Sequence, residues 1–380
     1  MRQLPISLVV TASLCACVSS PRLPESETGL QGKLVIAGGG MSERSLEVRE
    51  AFLELRLAGP VGVIGAASSD PAGSARRGAA ALNEVLGGQL AVALPFNSEE
   101  PELADDAAAV AMIESCGGLW FTGGSQSRIV DALRPEGGES AAWRACQALL
   151  DRGGVIGGSS AGAAMMSDSM IRRGRSESAL SSGVGRDGVE LGLGMGFFPW
   201  GLIDQHFLER GRFGRLVVAL SETGARLGWG VDEDSALVVD RATGWVEVIG
   251  SSGLALFDMY ELRAGAGRWE NVSFSLLSSG DRVNALTAEV VAAAGSTALD
   301  SSGEPEEALV IDELFAAGAL KQAVLQLIQE GHAGALLSDG AKSASLRRGA
   351  NTRAWLRAQD VGEEEMSAAG LQLDLYHDND

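Results

Sequence analysis

Histidine is scarce in this chain: three occur in 380 residues, at 206, 332 and 377. No pair of them, and no pair of the four cysteines, has the spacing of zinc ligands, so a zinc site is not expected. Four cysteines also cannot make a disulfide-dense scaffold. Two of them, Cys15 and Cys17, sit near the N-terminus; Cys116 and Cys146 remain open between a disulfide and two buried thiols. Positive charge is short as well, with 30 Lys and Arg against 50 Asp and Glu and a net charge of −20. That deficit argues against a nucleic-acid groove and against binding to an anionic lipid surface. Aromatics make up 5% and there are ten prolines, yet 46% of the chain is hydrophobic, which excludes wholesale disorder.

Arg2, a short apolar run from Ile6 and then Leu14-Cys15-Ala16-Cys17 read as an export signal, residues 1–16. Leu-x-Ala-Cys is similar to the bacterial lipoprotein signal, in which Cys17 would be lipidated; the expectation is an exported protein, anchored by lipid in the cell envelope. Ordinary cleavage after Ala16 is the alternative. Residues 17–30 are polar and aperiodic and read as a flexible tether.

From Lys33 onward short apolar runs alternate with stretches of helical spacing. Strands are expected at 33–37, 61–64, 90–94, 118–121 and 155–156, and helices at 42–57, 73–86, 105–115 and 140–150. This order predicts an α/β fold, a doubly wound and mostly parallel sheet with helices on both faces, with reactive groups beyond the C-terminal strand ends. Arg172–Gly188, rich in Arg, Ser and Gly, reads as a mobile loop. Further strands are expected at 226–231, 236–239, 246–249 and 273–277, the last one closing a main domain of residues 31–289. Residues 290–380 read as a small α/β extension of unreadable role, with an amphipathic helix around Ile311–Ile328.

Four segments carry chemistry. Gly158-Ser159-Ser160-Ala161-Gly162 follows a strand and precedes an expected helix at 163–170, the setting of a nucleophile elbow. By itself the pattern is weak in a chain holding 51 glycines. Of the histidines, His206 has the promising surroundings, because Asp204 and Gln205 follow an apolar stretch as a strand end opening onto a site would. Asp232-Glu233-Asp234 lies between two buried-looking strands; it is either a solvated turn or the source of a carboxylate that orients His206. Trp120-Phe121-Thr122-Gly123-Gly124-Ser125-Gln126 ends a strand in a double glycine whose N–H groups could hold an oxyanion. Arg210, Arg212 and Arg215 bring three cations into six residues of an acidic chain. Guanidinium forks suit carboxylates, and surface pairing with Glu209 or Glu222 is the plainer reading.

Together these segments resemble the peptidase family of cyanophycinase and dipeptidase E, serine hydrolases on a class I glutamine amidotransferase-like scaffold. Phe121-Thr122-Gly123-Gly124-x-Gln126, Gly158-x-Ser160-Ala161-Gly162-Ala163, Asp204-Gln205-His206-Phe207-x-x-Arg210-x-Arg212-x-x-Arg215 and Gly230-Val231-Asp232-Glu233 carry it, closer to the cyanophycinase branch. The similarity runs from about Lys33 to Arg282. The resemblance implies Ser160 as nucleophile, His206 as base and Glu233 as third member. It also places Gln126, Asp204, Gln205, Arg210, Arg212 and Arg215 around the substrate. The oxyanion would meet the N–H groups of Gly124 and Ala161. The expected reaction is release of β-aspartyl-arginine dipeptides from cyanophycin, with no metal or organic cofactor. No nucleic-acid partner is expected, the membrane is met through the lipid anchor only, and the oligomeric state is open, a homodimer included. Rival readings are an aspartyl or isoaspartyl dipeptidase of the same family, an α/β-hydrolase esterase using His332 or His377, and a non-catalytic peptide-binding lipoprotein.

Overall fold

A computed structural model describes residues 28–42, 45–299, 307–358 and 364–377. The expected signal, its cleavage point and Cys17 lie outside them, as does most of the tether. Thr28, at the tether's end, donates its N–H to Ala242 O at 3.0 Å, so residues 28–30 lie along the body.

The first half alternates as its sequence suggests. Strands β1 (Lys33–Ala37), β2 (Val61–Ile64), β3 (Ala91–Leu94), β4 (Gly118–Phe121) and β5 (Val155–Ser159) are separated by α1 (Leu46–Glu54), α2 (Pro71–Leu86), α3 (Ala107–Ser115), α4 (Gln126–Leu133) and α5 (Ala141–Asp151). Local chemistry sets the helix ends. Asp70 accepts from Gly73 N at 2.9 Å ahead of Pro71, and Gly87 ends α2 in the left-handed region. Asp106 and Ser140 cap α3 and α5 in the same way. The five strands pair in parallel in the order β1-β5-β4-β2-β3. Because β2 and β3 wind outward and β4 and β5 return, helices cover both faces. On one face α1 and α2 bury Phe52, Leu53 and Leu82, and Phe52 meets Trp120 edge-on at 4.9 Å. On the other, α3, α4 and α5 bury Ile113, Ile129 and Leu149.

The second half is different. A four-residue helix, α6 (Ala161–Ala164), replaces the longer one expected, and the chain turns into β6 (Ser169–Arg173), which pairs with β7 (Glu190–Leu193). Between them stands α7 (Ser176–Ser182), so the expected loop 172–188 contains strand and helix. Then come β8 (Leu202–Gln205), α8 (Phe213–Thr223), β9 (Leu227–Val231), β10 (Ser235–Asp240), β11 (Trp245–Gly250) and β12 (Leu254–Asp258). Strands β10 and β11 add antiparallel to β1, confining parallel pairing in the first sheet to β1–β5. Strands β8, β9 and β12 begin a second, mainly antiparallel sheet.

That second sheet continues through β13 (Arg263–Gly265), β14 (Arg268–Leu277) and the C-terminal residues. After β15 (Arg282–Asn284), β16 (Val290–Val291) and β17 (Thr297–Ala298) come β18 (Leu309–Asp312), α9 (Ala319–Gln329), β19 (Gly334–Asp339), β20 (Lys342–Ala358) and β21 (Glu364–His377). β21 pairs with β14, so 273–277 is an interior strand and the extension shares its sheet with the body. Residues 311–312, expected to open a helix, end β18 instead, whose short apolar run pairs parallel with β19. One sheet face packs toward the first sheet through Trp229, Val231 and Leu256; the other takes α8 and α9 through Leu216, Leu220 and Leu327. Cys116 and Cys146 are free and buried, and burial pushes the Cys146 thiol up to about 12.

Candidate active site

The site forms where the two sheets meet at their strand exits. Ser160 follows β5, and its backbone takes φ 56°, in the sparsely populated left-handed region that a nucleophile elbow requires. Small neighbours permit this turn: a Cβ on Gly158 would lie 2.4 Å from Gly162 O, and one on Gly162 would lie 2.4 Å from Phe121 O. His206 follows β8 of the second sheet, also at positive φ (46°). Glu233 lies just beyond β9, the neighbour of β8.

Main-chain hydrogen bonds fix these pieces at the exit of β1. Ala37 O accepts from Ser160 N at 3.0 Å, Gly38 O from His206 N at 2.9 Å and Gly39 O from Asp234 N at 3.0 Å. Three successive carbonyls thus hold the backbone of the hydroxyl, the imidazole and the acidic turn. Side-chain geometry follows. Ser160 Oγ lies 2.8 Å from His206 Nε2, and His206 Nδ1 lies 2.5 Å from Glu233 Oε1. Gly39 (φ +114°) lies flat against the ring, where an added Cβ would come within 2.3 Å of the imidazole. An added Cβ on Gly40 would meet the Glu233 carboxylate at 2.5 Å.

The three acids do different things. Asp232 is buried, accepts from Glu233 N at 3.0 Å, and is held above the usual carboxylate range by burial. Asp234 accepts from Ser42 N at 2.9 Å and from the hydroxyls of Ser42 and Ser45. That leaves Glu233 facing His206. Burial lowers the His206 pKa below its ordinary 6.5; the hydrogen bond that Nδ1 donates to Glu233 opposes this and nearby Arg210 adds to it. The imidazole is therefore neutral at pH 7 and able to accept the serine proton.

In front of Ser160 lies a cavity of about 540 Å³ walled by Gly124, Gln126, Gln205 and seven arginines. Arg210, Arg212 and Arg215 are among the seven; the other four, Arg172, Arg173, Arg175 and Arg186, come from the 172–188 segment expected as a mobile loop. Their richness in an acidic chain was the available signal, and what it lacked was the β6–β7 hairpin that turns them inward. Asp204 does not reach the cavity. It is buried beneath it, where its oxygens take Arg215 Nε at 2.7 Å and Nη2 at 2.5 Å, with Arg212 Nη1 at 3.5 Å. Burial, opposed by Asp204 and reinforced by Arg215 and Arg210, brings the Arg212 guanidinium down to about 10, still charged at neutral pH. Arg210 lies 3.9 Å from Glu233, at the end of a short 3-10 turn, 208–210, that starts after His206. Gln126 spends its amide N–H groups on Ile171 O and Arg172 O, at 2.6 and 3.2 Å, which fastens β6 to the site.

Gly124 lies in the cavity wall, whereas Ala161 is buried at the start of α6. Gly123, the first residue of the double glycine, is close too: its added Cβ would come 3.3 Å from Ser160 Cβ. His332 is elsewhere, against Glu307 O and Glu330, and His377 ends β21, so neither joins Ser160.

Comparison with known proteins follows the same line. Over 194 residues the chain is 34% identical to cyanophycinase of Nostoc sp. and, equally, to that of Trichormus variabilis, covering 48% of this chain and 62% of each relative. The chain is similar to the cyanophycinase-like peptidases. It matches a cyanophycinase of Synechococcus elongatus at 29% identity over 229 residues, 59% of this chain and 68% of that one. The match spans about three fifths of the Nostoc and Trichormus relatives. No protein-family model matches. A solved peptidase from an acI-B1 Actinobacterium shares the fold, with a TM-score of 0.51 at 17% identity over 67% of this chain and 97% of that one.

Proposed function

We propose that this chain is a serine peptidase that hydrolyses cyanophycin, the β-linked aspartyl-arginine polymer, to β-Asp-Arg dipeptides. One observation carries the reading: a continuous hydrogen-bonded path runs from Ser160 Oγ through His206 to Glu233, at 2.8 and 2.5 Å. Neutral His206 takes the Ser160 proton as the hydroxyl attacks the peptide carbonyl. The oxyanion meets the N–H groups of Gly124 and Ala161. Glu233 orients the ring and stabilises its imidazolium form, which then protonates the leaving amine. Water, deprotonated by His206, releases the acyl group from Ser160. Arg210, Arg212 and Arg215 hold substrate carboxylates, with Gln205 alongside and Asp204 fixing Arg212 and Arg215 from below. In a chain with 50 Asp and Glu against 30 Lys and Arg, seven arginines gathered on one cavity support a carboxylate-bearing substrate.

The test is product analysis. The unsubstituted chain should release β-Asp-Arg from cyanophycin granules, identified by mass, and Ser160→Ala should cut turnover at least a thousandfold, with folding unchanged by circular dichroism. Undiminished hydrolysis by that variant would remove Ser160 from the mechanism. Hydrolysis of short aspartyl peptides with granules left intact would move the assignment to the dipeptidase reading.

A further inference from the structure

The space before Ser160 does not end at the substrate arginines. A second cavity of about 430 Å³ adjoins the first, and the two share Arg175, Arg210, Arg212 and Arg215 as a common wall. Each volume falls in the range of roughly 300–1,000 Å³ that accommodates a small-molecule-sized group. The far side of the second cavity is Glu177 of α7 and Phe315, which belongs to the C-terminal extension.

Phe315 is firmly placed. Gly318 N donates to Leu208 O at 3.0 Å, and Leu314 N donates to Ser338 O at 3.1 Å. Gly211 (φ +54°) lies so close that an added Cβ would come 2.3 Å from Phe315 O. The Phe315 ring stacks on Phe213 at 5.8 Å. Residues 314–318 are therefore fastened to the same turn that carries Arg210, a few residues beyond His206. Charge runs through both cavities. Seven of the chain's 30 basic residues line them, against the wall acids Asp187 and Glu177. Counting Asp204 beneath the wall, Glu190 on Arg173 and Glu233 beside Arg210, the trough keeps a positive excess. A single carboxylate beside Ser160 leaves the outer cavity's share of that charge unmatched; a chain of carboxylates does not.

We propose that the outer cavity, closed by Phe315 and entered past Arg175, is a second subsite that takes the next carboxylate-bearing unit of an acidic peptide polymer, making the C-terminal extension part of substrate selection. The inference rests on the peptidase reading for the position of the first unit. It names two specificity-determining residues, Arg175 and Phe315, neither of which touches the triad. Because these groups are half-exposed, the attraction is screened by salt and is expressed in binding of longer substrates more than in turnover.

The experiment measures binding to the Ser160→Ala protein by calorimetry, using synthetic β-aspartyl-arginine oligomers of one and three units. The three-unit oligomer should bind at least about tenfold tighter than the single unit, and raised salt should narrow the gap. Adding Arg175→Gln, whose side chain lines both cavities, should weaken both oligomers, the three-unit one roughly threefold or more beyond the single unit. Adding Phe315→Lys should tighten the longer oligomer and Phe315→Glu should weaken it, whereas a purely structural role would move both in one direction. Equal affinity for the two lengths, or same-sign effects of the two Phe315 substitutions, would overturn the second subsite. Turnover of the unsubstituted chain is scored separately: length-dependent binding without hydrolysis would overturn the peptidase reading and leave the second subsite standing.

Discussion

The catalytic side of the site and its binding side are held by different means. Ser160, His206 and the turn of Glu233 hang from three consecutive backbone carbonyls, those of Ala37, Gly38 and Gly39. The arginine wall instead rests on side chains, chiefly the bidentate grip of buried Asp204 on Arg215. Backbone anchoring tolerates most side-chain changes but not added bulk where the strand exit touches the imidazole. Side-chain anchoring concentrates the charged support in one carboxylate, with the carbonyls of Gly174 and Gln205 beside it. The catalytic side should therefore lose rate without losing the fold, and the binding side should lose both.

Four substitutions separate the two, in falling order of effect. Glu233→Gln keeps the shape but allows the wrong imidazole tautomer, and kcat should drop on the order of ten-thousandfold with the urea midpoint unchanged. A drop below tenfold would mean that Glu233 does not orient His206. Asp204→Ala leaves the Arg215 cation buried beside Arg212 with no carboxylate, and should cost about 3–5 kcal/mol of stability in urea denaturation together with a raised KM. Unchanged stability would show that the wall does not depend on this pair. Gly39→Ala places a methyl on the imidazole at a φ that L-residues rarely adopt, and should lower kcat about a hundredfold by displacing the ring, with KM little changed. Wild-type kcat would mean that the strand exit yields easily and that backbone anchoring is not what positions the base.

The smallest effect is on pH. In the proposed mechanism His206 is a base when neutral, so activity should be present above its pKa and fall as pH drops through it. Burial, aided by Arg210, places that pKa below 6.5. Arg210→Gln removes a nearby cation, so protonation becomes easier and the acid limb of kcat/KM should move up by about a few tenths of a pH unit. A limb that stays put or moves down would mean that the Arg210 charge is not felt at the ring.

Much of the first sheet was legible from residues alone. Strands 61–64 and 118–121 fall where the apolar runs stand, and α2, expected at 73–86, starts two residues earlier because Asp70 caps it ahead of Pro71. The triad candidates were also readable, since each sits in a short motif at a strand exit. Illegible were the things that depend on distant pairing. Nothing in residues 290–380 says that β21 will lie beside β14, and nothing in Arg172–Gly188 says that a hairpin will turn its arginines toward Ser160.

What the sequence determined on its own was therefore the alternation of elements, the glycine-framed turns and the identity of the reactive groups, all of which follow from interactions within a few residues. Only the tertiary structure decided that Ser160 comes from one sheet and that His206 and Glu233, which meet it, come from another. It also decided that Asp204 supports the arginines from beneath the cavity and that Phe315 walls a space near Arg210. Those outcomes depend on contacts between residues far apart in the chain, whose partners are chosen by packing and by the need to pair buried charge.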